Sequence, residues 1–342
     1  MLARITSIEV EGFRAVRTPL KLSLIDAAGG DPLTRVVLAG PNGSGKTSVL
    51  EAVLLALGRE PLIVRDLPAP RRGDHWRVEM SPGARIVLTC RSYANLFAFI
   101  RKEGEDFTVV RTAERWEIRD RSDVVIADDP VAVRERLGQI AVEYFSSWRA
   151  PILPGGLQPT TGGRPPDDNE ANRLRRLKQR IINERARRAI AREPSQTEAH
   201  DIDWLRRLNA VWSAFHRDGS TIEADIVDSD AEDSLFDLFV FDGATRRCSI
   251  DQISSGELEL VTITGSLLLA NFDGVLLIDE PELHLHRQWQ TQLLDVLGAT
   301  TREAQLIIAT HADALWDQVF SFERLFLAPP GDARAGEPSR TV

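Results

Sequence analysis

The stretch Gly40-Pro41-Asn42-Gly43-Ser44-Gly45-Lys46-Thr47 constrains this chain more than any other. It follows the apolar run Val36-Val37-Leu38-Ala39 and precedes a helical pattern from Val49 to Leu57. Glycines at 40, 43 and 45 let backbone N–H groups crowd around an anion with no Cβ in the way. The helix N-terminus behind them adds free donors and a positive dipole end. Lys46 has the charge and reach for β- and γ-phosphates, the Thr47 hydroxyl suits Mg²⁺, and Ser48 completes the stretch. A strand, a glycine-rich turn and a helix in this order predict a nucleoside-triphosphate site in an α/β fold.

The bulk numbers narrow the setting. A chain of 342 residues has length for about two domains and a sizeable core. Its net charge of −9 rules out a surface that attracts nucleic acid as a whole, so any such contact needs a local basic patch. Cys90 and Cys248 stand far apart in no metal-ligand spacing, which fits a reduced, cytoplasmic protein. The N-terminus alternates like a strand and lacks a signal-peptide core. No run approaches the ~20 apolar residues that span a bilayer, so no membrane association is expected.

Along the chain, residues 4–25 alternate apolar and polar and predict a hairpin. Residues 74–127 carry five further strand patterns: 76–80, 84–89, 107–110, 116–118 and 124–126. They predict a small antiparallel sheet beside the nucleotide-binding core. A short helix from Val131 to Tyr144 is expected next. Residues 145–170 are rich in Gly, Pro and Asp and read as a loop. A basic helix, 170–192, follows, with Leu174, Leu177, Ile181 and Ile182 on one side. Arg173, Arg175, Arg176, Lys178, Arg180, Arg185, Arg187 and Arg188 fill the rest. A second amphipathic helix, Asp201 to Phe215, completes a helical hairpin too short for a long coiled-coil arm. From Ser234 the pattern returns to a strand, an Asp242-Gly243 turn and a return strand. Ile253-Ser254-Ser255-Gly256-Glu257 then opens a long apolar helix to Ala270. Buried strands at Val275–Glu280 and Gln305–Ala309 flank a helix from Arg287 to Leu297, and a tail after Pro329 reads as disordered.

Triphosphate hydrolysis needs a metal ligand and a group that activates or orients water. Asp279 and Glu280 end a buried strand, where ligands sit in open α/β sheets. Asp279 suits Mg²⁺, directly or through water, and Glu280 suits the base or water-orienting carboxylate. His311 also follows a buried strand, as a sensor of the terminal phosphate or as a solvated histidine. His284-x-His286 has only His311 to join it and no cysteine nearby, which argues against zinc.

The order of these motifs resembles the head of an ABC-type ATPase of the SMC, RecF and OLD (overcoming-lysogenization-defect) group. The resemblance is firmest over residues 4–58 and 247–316. It rests on Ile8-Glu9-Val10-Glu11-Gly12-Phe13-Arg14, on Tyr144-Phe145-Ser146-Ser147-Trp148-Arg149, and above all on Asp279-Glu280-Pro281-Glu282-Leu283-His284-Leu285-His286. It implies a P-loop NTPase fold with an antiparallel β lobe and a helical lid insertion. It also implies ATP and Mg²⁺ as cofactors, and a homodimer that sandwiches two ATP molecules. Ser254 to Glu257 would then form the signature motif, with Ser255 and Gly256 completing the partner's site in trans. A helix N-cap is the alternative for the serine. A Q-loop glutamine is not evident, Gln139 and Gln158 being weak matches, and no Toprim-type nuclease domain is expected in the chain.

The expected division is an ATPase lobe at 1–144, a loop and lid insertion at 145–233, a second lobe at 234–328 and a tail at 329–342. The implied function is an ATP-hydrolysing switch in DNA metabolism, by preference anti-phage defence with a partner effector or nuclease. A RecF-like repair ATPase is the alternative, and a transporter ATPase subunit a more distant one. Residues 170–192 are the candidate DNA contact, or else a basic face docked on the acidic remainder.

Overall fold

The structure, a computed structural model, describes residues 3–64, 80–93, 104–147, 149, 153–160, 173–190, 198–228, 235–301, 303–329 and 331–336. The expected strand at 76–79, the loop at 161–168 and the side chains of Arg187 and Arg188 lie outside them. The first part of the chain runs through β1 (Ala3–Glu11), β2 (Leu20–Ser23), β3 (Arg35–Ala39), α1 (Lys46–Ala56) and α2 (Glu60–Val64). It continues through β4 (Arg85–Ser92), β5 (Asp106–Thr112), β6 (Trp116–Asp120), β7 (Val125–Ala127), α3 (Pro130–Leu137) and β8 (Val142–Phe145). Next come α4 (Arg173–Ile190), α5 (Glu198–Phe215), β9 (Thr221–Asp228), β10 (Leu235–Asp242), β11 (Thr245–Ser249) and α6 (Ser255–Ala270). The last elements are β12 (Val275–Asp279), α7 (Arg287–Thr300), β13 (Gln305–Thr310), α8 (Asp313–Trp316) and β14 (Arg324–Phe326).

These elements form two compact units. One comprises Met1–Trp148, Asp273–Leu283 and Glu303–Val342; the other comprises Arg149–Phe272 and His284–Arg302. The units cut across the segments 145–233 and 234–328 expected from composition.

The first unit has two sheets. A five-stranded sheet has the order β14-β3-β13-β12-β8, all parallel, with β3, β12 and β13 in the middle. Their side chains are buried on both faces, which is why those strands read as unbroken apolar runs. A six-stranded antiparallel sheet has the order β2-β1-β4-β5-β6-β7. The strands of 84–127 form an antiparallel sheet, as expected, and the hairpin at the N-terminus joins it. Helix α1 packs against strands of both sheets and is buried from Val49 to Ala56, so it shows no polar stripe. Gly58 ends the chain's exit from that helix at φ +69, where a Cβ would sit 2.5 Å from the Trp116 ring.

The expected helix from Val131 to Tyr144 is a correction. Asp129 caps α3 by accepting from the Ala132 N–H, Pro130 starts it, and it ends at Leu137 before Gly138. Val142-Glu143-Tyr144-Phe145 is instead β8, paired with β12 (Tyr144 opposite Leu277), and Tyr144 and Phe145 are buried. β-branched and aromatic residues side by side favour a pleated edge over a helix. The tail is a second correction, for residues 331–336 are placed: the Thr18 hydroxyl donates to Ala335 O at 3.2 Å, and Arg334 pairs with Asp332.

The second unit stacks helices on a three-stranded antiparallel sheet of order β11-β10-β9. Leu174, Leu177, Leu208, Trp212, Ile222, Leu238 and Val261 meet in its core. Both α4 and α5 pack on α6, and contacts between α4 and α5 themselves are sparse among the described residues, so they do not close as a simple hairpin. The α4–α6 contact is close: a Cβ on Gly265 would meet Leu177 at 2.6 Å. Arg149 pairs with Glu259 of α6, both buried. Strand β9 was not expected from the sequence.

One buried side chain ties the two sheets of the first unit. Gln305, fully buried at the start of β13, accepts from the Ile5 N–H at 2.7 Å and donates to Ile5 O at 2.8 Å and Leu33 O at 2.9 Å. Gln305→Leu keeps the volume but leaves these backbone groups without partners. Its stability should fall by about 3 kcal/mol, read as a lower denaturant midpoint at constant slope.

Candidate functional site

The phosphate loop leaves the C-terminal end of β3 and enters α1 through Gly45, whose φ of +96 serves as a left-handed N-cap with no side chain in the way. A Cβ on Gly40 would meet Leu327 O at 2.4 Å, so only glycine lets the loop pass there. Pro41, Asn42 and Gly43 are exposed and Ser44 is half-buried. The Lys46 ammonium donates to Gly40 O at 2.7 Å and Pro41 O at 3.1 Å, which folds it along the loop. Burial holds its pKa below the ordinary lysine value, and the charges of Glu280, Asp279 and Glu282 work against that shift. Ser48 is buried and its hydroxyl accepts from the Ala15 N–H at 3.3 Å.

Parallel strand β12 brings Asp279 to this loop. The Thr47 hydroxyl donates to the Asp279 carboxylate at 2.8 Å. A hydroxyl and a carboxylate side by side are hard oxygen donors of the kind Mg²⁺ prefers, and the donor set fits that ion. Glu280 follows in a left-handed conformation, φ +48, with its N–H donated to Ala309 O. A non-glycine residue there costs roughly 1 kcal/mol, and such strain clusters at functional sites. The Glu280 carboxylate lies 3.3 Å from His311 Nδ1 at the end of β13.

Sequence reasoning missed the role of Glu282. Its buried carboxylate accepts from the Thr310 hydroxyl at 2.5 Å and the His311 N–H at 3.0 Å, and lies 3.3 Å from His311 Nδ1. It fixes the turn that carries His311, whose own side chain is half exposed. Beside that turn a cavity of about 510 Å³ is bounded by Gly40, Pro41, His311, Trp316, Phe326 and Arg334.

The second unit carries the other predicted residues. Ser254 is the N-cap of α6: its hydroxyl accepts from the Glu257 N–H at 3.3 Å, and Glu257 accepts from the Ser254 N–H at 2.7 Å. This reciprocal box leaves the Ser254 hydroxyl proton available and the Ser255 hydroxyl exposed at the helix start. A Cβ on Gly256 would meet His284 O at 2.4 Å, so the helix start packs directly on that backbone. His286 caps α7 through Nδ1, accepting from the Gln288 N–H. Among the described residues no group of three or more His, Cys, Asp or Glu is arranged to hold a metal ion.

One further expectation changes. On α4, Arg175, Arg180 and Arg185 are exposed, but Arg173 and Lys178 are buried. Lys178 pairs with Asp237 and Asp251, each at 2.6 Å. Gln139 is exposed in the turn after α3, and the Gln158 backbone carbonyl accepts from the Gln179 side-chain amide. No described helix is long and apolar enough to cross a membrane.

Comparisons with known proteins agree with this architecture. A family model described as "AAA domain, putative AbiEii toxin, Type IV TA system" matches residues 154–317. A stretch of 48 residues is 38% identical to Septu protein PtuA of Bacillus thuringiensis, covering 14% of this chain and 12% of that protein. The chain thus matches about an eighth of that relative's length. A solved SMC head bound to the C-winged helix domain of ScpA is similar with a TM-score of 0.57 at 13% identity, covering 94% of this chain and 93% of that one. An SMC head with an extended coiled coil, bound to the C-terminal domain of ScpA derived from Pyrococcus furiosus, gives 0.54 at 12% identity over 95% and 93%. The SMC head from Thermotoga maritima gives 0.50 at 13% identity over 94% of each chain. The chain has the fold of an ABC-type, SMC-like AAA ATPase head.

One buried acid of the site titrates in an accessible range. Glu51 lies on α1, four residues beyond Thr47, and pairs with Arg14, a left-handed residue at φ +50. Burial pushes its carboxyl up from 4.5 to about 7; Arg14 opposes the shift and the Asp279 charge adds to it. The folded protein therefore holds a proton that the unfolded chain releases above 4.5. Stability falls as pH climbs through about 7, by on the order of 2 kcal/mol. Glu51→Gln should flatten this fall, so chemical denaturation at pH 5 and pH 8 should show the variant gaining on the parent at pH 8.

Proposed function

We propose that this chain is an ATP-dependent dimerising switch that hydrolyses ATP with Mg²⁺ and acts with a partner effector in DNA-directed defence. The observation that carries the reading is the convergence on one loop of Lys46, the Thr47–Asp279 pair, and the strained Glu280 beside His311. In this reading the backbone N–H groups of Gly43 to Ser48, with Lys46, hold the phosphates. Thr47 and Asp279 would hold Mg²⁺, which would supply charge neutralisation at the phosphate oxygens. Glu280 orients or deprotonates the attacking water, and His311, steadied by Glu282, contacts the terminal phosphate. Ser254, Ser255 and Gly256 of a second copy offer hydroxyls and helix N-terminal N–H groups to that same phosphate, so that ATP joins two heads and hydrolysis releases them.

A defence role is favoured over housekeeping repair because the matched family is described by a toxin of a type IV toxin–antitoxin system, and because of the short likeness to Septu protein PtuA. DNA would meet the exposed Arg175, Arg180 and Arg185 of α4. Repair of RecF type is the second reading, and the same arginines would serve it.

Glu280→Gln should lower phosphate release at least about 100-fold while ATP binding persists. Light scattering should then find an ATP-trapped dimer; an undiminished rate would remove Glu280 from the chemistry. For the DNA contact, duplex DNA should raise the wild-type ATPase rate at low salt and lose that effect as salt rises. The triple change of Arg175, Arg180 and Arg185 to Glu should abolish the stimulation, and its persistence would clear α4 of that role.

A further inference from the structure

The residue that follows α5 reaches the start of α6. His216 Nε2 lies 2.8 Å from the Glu257 carboxylate, the same carboxylate that accepts from the Ser254 N–H. The other ring nitrogen, Nδ1, lies 3.2 Å from Trp212 O. Both partners are acceptors, so each ring nitrogen that carries a proton has an oxygen to donate to. The ring is clamped as well as bonded. It stacks on Trp212 with centroids 3.7 Å apart and planes at 11°, and meets the edge of Trp289 of α7 at 4.9 Å. Trp212 is fixed in turn by its indole N–H to the Ser220 hydroxyl. The bonds from His216 and Ser254 hold the Glu257 carboxyl well below the usual range, at about 2.

We propose that His216 is a positioning residue for the 254–257 stretch: it locks the Glu257 side chain so that the Ser254–Glu257 box presents the first hydroxyls and N–H groups of α6 in one geometry. This rests on the reading of that stretch as the terminal-phosphate cap of a second subunit. A capping box whose glutamate can swing away exchanges its bond to the Ser254 N–H for water, and the helix start then frays. Holding the far oxygen of the same carboxylate removes that freedom. A histidine stacked on one tryptophan and held edge-on by another has little rotamer entropy left to lose, so the lock costs little at each cycle. The clamp also joins α5, α6 and α7 at one point, so a ligand that moves the end of α5 would reset the helix start without touching the phosphate loop.

The test compares His216→Phe, which keeps the stacked ring but removes its donors, with His216→Gln, which restores one donor. His216→Phe should lower kcat roughly tenfold, the loss expected when a helix start loses its cap geometry. Its ATP affinity should stay at the wild-type value, since the phosphate loop is untouched, and His216→Gln should recover most of the rate. Mixing is the decisive arm. His216→Phe and Lys46→Ala are each weak alone, but their heterodimer pairs an intact loop with an intact cap. Random pairing should restore about a quarter of the wild-type rate. Ser254→Ala/Ser255→Ala mixed with Lys46→Ala is the reference. Recovery with the serine variant but not with His216→Phe overturns the positioning role alone; recovery with neither overturns the cap reading and the inference together. A wild-type kcat in His216→Phe, or no gain in His216→Gln, also overturns it. If His216→Phe melts early, Glu257→Gln replaces it, since that change leaves one acceptor oxygen where His216 and the Ser254 N–H each use one, and keeps the stack intact; it must show the same kcat loss and the same recovery on mixing.

Discussion

The structure of the first unit depends on burying α1 between two sheets. A helix apolar on every side has no face to offer water, so each of its faces must be covered. The parallel sheet covers one face and the antiparallel sheet another, and the start of the helix is fixed in space as a consequence. That start is the phosphate loop. The antiparallel sheet is therefore a wall of the site rather than a lobe appended to it. The β1–β2 connection lies along the helix, where the Ala15 N–H meets Ser48, Arg14 meets Glu51, and Val16 sits 3.1 Å from the position of a Gly45 Cβ. Charged groups on a helix this dry need partners. Glu51 has Arg14 and still holds its proton to about 7, because burial outweighs the pairing.

Much of this was legible because the signals are local. The loop, the apolar strands 275–279 and 305–310, the Asp242-Gly243 turn and the serine-led start of α6 each carry their own chemistry within a few residues. What was missed depends on distant partners. Strand β8 reads as a helix continuation until β12 offers it an edge. Strand β9 alternates Ile222, Ala224 and Ile226, a pattern visible in principle, but Glu223, Asp225 and Asp228 between and beyond them weaken it. Glu282 and Glu280 are two residues apart and chemically alike; only the fold distinguishes the buried one from the half-exposed one. His216 stands 41 residues from Glu257, and no spacing rule connects them.

The basic helix shows how composition misleads about charge. A run of arginines and one lysine reads as one basic face, turned to DNA or docked on the acidic remainder. In the folded chain Lys178 is fully buried between Asp237 and Asp251. Such a cluster adds little net stability, since desolvation offsets most of the attraction, but removing one member leaves charge stranded inside. Its effect is on placement. Asp251 lies three residues before Ser254 and also accepts from the Gly155 N–H, so α4, the entry loop and the approach to α6 are held to one another by a single ammonium group.

Three carboxylates lie at the end of β12 and in the turn that follows it, and their surroundings differ. Asp279 is buried and accepts from the Thr47 hydroxyl, which commits it to the loop. Glu282 is buried and accepts from Thr310 and His311, so it is committed to the turn after β13. Glu280 is only partly buried, and its left-handed backbone turns it toward His311 instead of letting it continue the strand. A group that must move a proton needs access to water and a fixed origin, and of the three only Glu280 combines them. The strain at its φ is then the cost of turning this side chain out of the strand while its N–H keeps its bond to Ala309 O. Under the proposed cycle, that geometry lets hydrolysis and head release be controlled by one side chain without disturbing the residues that hold the nucleotide.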